Sequence, residues 1–130
     1  MNSGLEFHDS VVTRIDVLGK NALVIFEKAY IHQTSGVPGV NSGDLVLYPA
    51  ILEVSEAIVF GSSEQNGYLM DGRLLIDETK YNLVSFPFEC AGSVSVQLAF
   101  NTGQSVRISG SKVQLYSTGE GRFLERFHAT

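Results

Sequence analysis

Leu5 to Ile31 constrains the fold more than any other stretch, because from Val11 on it holds two β-patterned runs joined across Leu18-Gly19-Lys20-Asn21. Val11, Thr13, Ile15 and Val17 fall on one face of an extended chain and Val12, Arg14, Asp16 and Leu18 on the other, the alternation of a half-buried strand. Gly19 and Asn21 tolerate positive φ, so the chain can reverse within a few positions. The returning run puts Leu23, Ile25, Glu27, Ala29 and Ile31 on one face and Val24, Phe26, Lys28 and Tyr30 on the other. Apolar residues on both faces predict a central strand covered, at least in part, on both sides. This hairpin, led in by Leu5-Glu6-Phe7-His8-Asp9-Ser10, is the template on which later strands are expected to lie.

Downstream, His32 to Gly43 holds three glycines and Pro38 and offers little to pack. No Gly-Lys-Ser/Thr follows it, so it reads as a mobile or lid-like surface loop and not as a phosphate cradle. Pro49 divides Asp44 to Phe60 into Leu45–Tyr48 and a longer strand from Ile51, with Leu52, Val54, Glu56, Ile58 and Phe60 on one face. A proline there marks a strand start, an edge or a bulge. Asn66-Gly67 signals a turn, and Asp71-Gly72 predicts a tight hairpin between Tyr68-Leu69-Met70 and Arg73–Ile76. Asp77 to Lys80 reverses the chain again, into Tyr81–Phe88.

The clearest strand is Ser93 to Phe100, with Val94, Val96, Leu98 and Phe100 facing in. Asn101 to Gln104 then turns the chain into Val106-Arg107-Ile108. Val113 and Leu115 have the opposite parity to Val106 and Ile108, so a bulge or a short connection is expected at Gly110. The last run, Arg122 to His128, suits either a strand or a short helix. No window of eleven or more residues sustains a helical period. Roughly eight to ten short strands predict an all-β domain, an antiparallel sandwich or a small barrel, formed by residues 1–130 as one unit.

A chain of 130 residues with 44% hydrophobic and 18% charged residues can bury one core without metal or disulfide staples. The net charge of −5 is uneven: residues 1–65 hold eight acidic and three basic side chains, and residues 66–130 six of each. With no basic stripe, neither a nucleic acid nor an anionic membrane surface is an expected partner. The single cysteine, Cys90, reads as a small buried hydrophobe in a reducing compartment. Met1 to Glu6 has no basic or apolar leader pattern, and no run approaches a membrane span, so the expected location is cytoplasmic.

Two carboxylates interrupt apolar faces, Glu27 among Leu23, Ile25, Ala29 and Ile31, and Glu56 among Leu52, Val54, Ile58 and Phe60. Facing one interior, they would act as acid/base partners or oxygen ligands. At a bulge or an edge, or opposite a cation on a neighbouring strand, each would be structural. His8-Asp9-Ser10 has the residue types of a nucleophilic triad in the wrong arrangement, because neighbours on a strand point to opposite faces. Asp9 or Ser10 is expected instead to bond local backbone. His8, His32 and His128 show no metal-ligand spacing, and no metal or cofactor is expected.

Phe7-His8-Asp9-Ser10, the following Val-x-x-Ile and an alternating hairpin resemble the opening of small bacterial β-rich domains, some of them regarded as immunity proteins against polymorphic toxins. Val106-x-Ile108-x-Gly110, Val113-x-Leu115 and Phe123 to Phe127 resemble their ending. The resemblance implies a bacterial, cytosolic, non-enzymatic β protein. The expected function is therefore a protein-interaction or binding module, with its acidic N-terminal half facing a basic partner, or a homo-oligomer through an exposed strand edge. The alternative is a barrel that binds a small molecule, or an enzyme, using Glu27 and Glu56. His8, Asp9, Glu27, His32 and Glu56 are the candidate binding residues, and no catalytic residue is assigned.

Overall fold

The computed structural model describes residues 1–129, which form ten strands and no helix. They are β1 (Asn2–Leu18), β2 (Asn21–Thr34), β3 (Gly43–Ser55), β4 (Ile58–Phe60), β5 (Gly67–Ile76), β6 (Thr79–Tyr81), β7 (Val84–Ser85), β8 (Phe88–Phe100), β9 (Ser105–Ser117) and β10 (Arg122–Phe127). The path β3-β2-β1-β5-β8-β9 returns to β3 through β9, closing a six-stranded antiparallel barrel. β10 adds to the first half of β3, β4 to the first half of β9, and the short β6 and β7 to β5 and β1.

Of the two architectures expected for an all-β chain, the barrel is the one formed. Its inward residues meet in a single apolar cluster, with Phe26, Phe100, Ile31, Leu52, Leu74 and Leu115 among the fully buried side chains. Side chains fill a barrel of this strand number, so the interior is a core. Each such side chain contributes about 1.5–3 kcal/mol by leaving water.

Bulges decide which residues face inward. On β1, Glu6 pairs with Tyr30 and Val11 with Lys28, so Phe7 to Ser10 stand opposite Ala29 alone. Further shifts at Val12 and Arg14 change the phase again. Phe7, Ser10, Val12 and Ile15 are therefore buried, and the predicted two-residue alternation from Val11 to Leu18 does not hold. On β2, Glu27 and Lys28 stand opposite Pro49, and the buried series runs Val24, Phe26, then Ala29, Ile31. Pro49 thus lies in β3 where the ladder to β2 is interrupted, as a residue without a backbone donor must. β3 runs through it without a break.

Three further expectations are corrected. The strand assigned to Ile51–Phe60 ends at Ser55, because Glu56 takes a φ of 51°, and Ile58 and Phe60 are exposed on β4. Asp71-Gly72 makes no hairpin: β5 is continuous, neither residue has positive φ, and the register with β8 shifts there. Gly72 serves a close approach instead, since a Cβ on it would stand 2.7 Å from Cβ of Phe7. The strand expected from Tyr81 to Phe88 is broken into the end of β6, the two residues of β7 and the start of β8. The turn at Asp77-Glu78 forms as expected, both residues taking positive φ.

The parity change near Gly110 also occurs, within an unbroken β9. Gly92 and Ser93 of β8 face Ser111 alone, and β9 passes from pairing with β4 to pairing with β3. A Cβ at Gly110 would lie 2.4 Å from the Ser55 carbonyl oxygen, so the crossing of β9 over the end of β3 requires glycine.

Candidate functional site

The bulge of β1 and the end of β2 build the most elaborate polar cluster. Ser10, fully buried, donates from its hydroxyl to the Glu6 carbonyl at 2.7 Å and accepts from the Tyr30 N–H at 3.0 Å. Its side chain thereby replaces the backbone pairing that the bulge removes. Asp9, at φ 70°, turns outward, and its carboxylate lies 3.3 Å from Nδ1 of His8. The rule that strand neighbours point apart fails here, because Asp9 is in the left-handed region. The expected backbone role falls to Ser10.

His32 lies on the outer face of the same hairpin. Gly4 is its register partner and Tyr30 is that of Glu6, which places Glu6 and His32 diagonally across the two strands. Nε2 of His32 is 3.0 Å from the Glu6 carboxylate. The side chain is only 8% exposed, and Phe127 meets its ring edge-on at 5.1 Å. Nδ1 is buried with no hydrogen-bond partner. A buried nitrogen left in that state costs about 1–3 kcal/mol.

Around this pair is a cleft of about 600 Å³, within the range of ligand sites. Its sides come from Val37, Pro38 and Val40 of the 35–42 loop, Leu83 between β6 and β7, and the Asp71-Gly72 bulge of β5. The loop is braced along its length. Val37 N–H donates to Oδ1 of Asn41, Asn2 Nδ2 to the Gly36 carbonyl, and Thr34 Oγ1 to the Ser42 carbonyl. The glycine-rich segment is thus shorter than the expected loop, since β2 reaches Thr34, and it is fastened to the sheet. Val37 and Val40 nevertheless remain 57% and 64% exposed.

The remaining candidates lie elsewhere. Glu27 is exposed at the β2 bulge and Glu56 is exposed in the turn after β3, so neither reaches the barrel interior nor the cleft. An imidazole beside a carboxylate is two-thirds of a nucleophilic relay, yet no Ser, Thr or Cys lines the cleft, and the Ser10 hydroxyl is committed on both sides. Among the described residues no group of three or more His, Cys, Asp or Glu converges as a metal site. Cys90 is half-buried against the core.

A second polar cluster lies on the outside of β2, β3 and β9. The Glu53 carboxylate accepts from Asn21 Nδ2 at 2.8 Å and from the Tyr116 hydroxyl at 3.0 Å. Burial and then this carboxylate push the Tyr116 hydroxyl above its usual pKa.

Glu6 is the residue that sequence reasoning missed. Counting back from the Gly19 turn sets His32 opposite Phe7, and only the bulges move it to Gly4 and bring Glu6 within reach. Among the described residues, no helix is long and apolar enough to cross a membrane. The chain matches no family model, no curated protein and no solved structure.

Proposed function

We propose that this chain is a non-catalytic protein-binding module, cytosolic and immunity-like in the sense of the domains its two ends resemble. Its recognition surface is the cleft between the 35–42 loop and the β1–β2 hairpin. The observation that carries this reading is the pairing of exposed Val37 and Val40, held by a braced loop, with acidic Glu6 and Asp71 in the same cleft. Such a surface takes an apolar side chain of a partner and a neighbouring cation. Preorganised apolar anchors limit the entropy lost on binding, and the acidic side chains speed association with a basic partner.

The test is capture from lysate of the source organism at low and high salt, followed by mass spectrometry. A basic partner held by wild type and by Glu27→Gln/Glu56→Gln, released by salt and lost in Val40→Arg, supports the reading. A partner indifferent to Val40→Arg and Glu6→Gln, or turnover of a co-purifying small molecule, rejects it.

Self-association through β10 is a second reading, favoured by Phe123 and Leu124, which are exposed on that edge strand. Light scattering of wild type against Phe123→Lys decides it: a dimer that the substitution dissolves supports it, and a monomeric wild type rejects it.

A further inference from the structure

We propose that a second cleft, on the outer face of β5, β8, β9 and β4, is an oxyanion-binding site whose donors are Arg73, Gln97 and Arg107. The register aligns these residues. Arg73 of β5 pairs with Gln97 of β8, Gln97 with Arg107 of β9, and Arg107 with Phe60 of β4. Directly paired residues on neighbouring strands share a face, so two guanidinium groups flank one carboxamide across three strands. At a strand spacing of about 4.8 Å, the two arginine backbones lie about 10 Å apart, so an anion above Gln97 is within reach of side chains of that length. All four residues line a cleft of about 560 Å³.

Three features of this row suit it to an anion. Arg73 and Arg107 have no ion-pair partner among the described residues, so both guanidinium groups are free to take a ligand. Two like charges on either side of one strand repel, and an anion between them removes that repulsion. Arg107 is also restrained, its guanidinium carbon 4.3 Å from the centre of the Phe60 ring, which limits the freedom it loses on binding.

Each guanidinium presents a planar fork to a carboxylate or phosphate, and the Gln97 amide supplies a donor between the two. Phosphate esters and carboxylates share this chemistry. Asp71, the one acidic residue of the cleft, is the built-in competitor. This site does not rest on the proposed protein-binding cleft, although Asp71 serves in both, drawing a cation there and competing with the anion here. The two share only Asp71 and Gly72 as a common wall.

The test is an NMR titration of the folded protein, following the arginine Nε–H and glutamine side-chain signals. Sodium phosphate and sodium acetate are added separately, with ionic strength held constant by chloride. Saturable shifts at Arg73, Gln97 and Arg107 are expected. Arg73→Gln and Arg107→Gln should each weaken binding at least about tenfold, the worth of one charge-assisted hydrogen-bonded contact. Asp71→Asn should tighten it severalfold, which loss of structure would not do. Saturation by phosphate alone assigns a phosphate-bearing ligand, and saturation by acetate alone a carboxylate. No saturation by either anion up to about 50 mM, or binding that survives both arginine substitutions, overturns the proposal.

Discussion

Replacing Ser10 with Ala removes one oxygen and should destabilise the protein far more than its size suggests. The hydroxyl is fully buried and makes two hydrogen bonds, to the Glu6 carbonyl and from the Tyr30 N–H. Without it, both backbone groups lose their partner inside a bulge that offers no other. An orphaned buried group costs about 1–3 kcal/mol, so losing the partner of both should cost at least about 2 kcal/mol. For a domain of this size, that lowers Tm by about 6–8 °C. The chain has no Trp, so urea unfolding followed by far-UV circular dichroism is the suitable assay. The midpoint should fall with the m-value unchanged. A loss below about 0.5 kcal/mol, within the scatter of neutral surface substitutions, would refute the claim that this side chain replaces the missing ladder. Asp9→Gly is the complementary change. It relieves a left-handed backbone and removes only an exposed ion pair, so it should be neutral or stabilising by up to about 1 kcal/mol.

Gly110→Val should prevent stable folding, or cost more than about 3 kcal/mol, because the new side chain meets the Ser55 carbonyl; circular dichroism and thermal melts read this directly. Glu27→Gln and Glu56→Gln, both at exposed positions, should change stability by less than about 0.5 kcal/mol in the same melts. Ultraviolet titration should show a late-ionising phenol that disappears in Tyr116→Phe and moves down in Glu53→Gln. Because the folded-state pKa of Tyr116 is raised, its contribution to stability is complete below the unfolded-state pKa. That contribution is lost as pH rises through the folded value, so Glu53→Gln should flatten the alkaline fall in stability.

Alternation reads correctly wherever strands run without interruption. Val94, Val96, Leu98 and Phe100 are all buried, and the parity change around Gly110 is visible in the sequence as well as in the barrel. The errors lie at bulges, because one extra residue flips every later side chain to the other face. Counted back from Ala29 and Ile31, Glu27 falls on the interior face, but the bulge opposite Pro49 separates it from them and leaves it outside with half-buried Leu23 and Ile25. Asp71-Gly72 carries the composition of a type I′ turn, but its glycine is required by the Phe7 ring, a contact from a strand more than sixty residues earlier. No local rule contains that information.

The candidate site shows the same division. The sequence marks His8, Asp9 and His32 as chemistry-bearing residues, and Asp9 or Ser10 as a backbone anchor. Glu6 and the row Arg73, Gln97 and Arg107 depend on strand register, which the bulges and the barrel closure set. The exposed loop valines gain meaning only from Leu83, Glu6 and Asp71 beside them.

Hydrogen–deuterium exchange of the purified protein, with and without its captured partner, tests the binding account most directly. Protection concentrated in residues 35–42 and at Asn82-Leu83, with the Leu18 to Asn21 turn unchanged, is the predicted result. Protection confined to that turn or to β4, with the 35–42 loop exchanging as in the free protein, would contradict it.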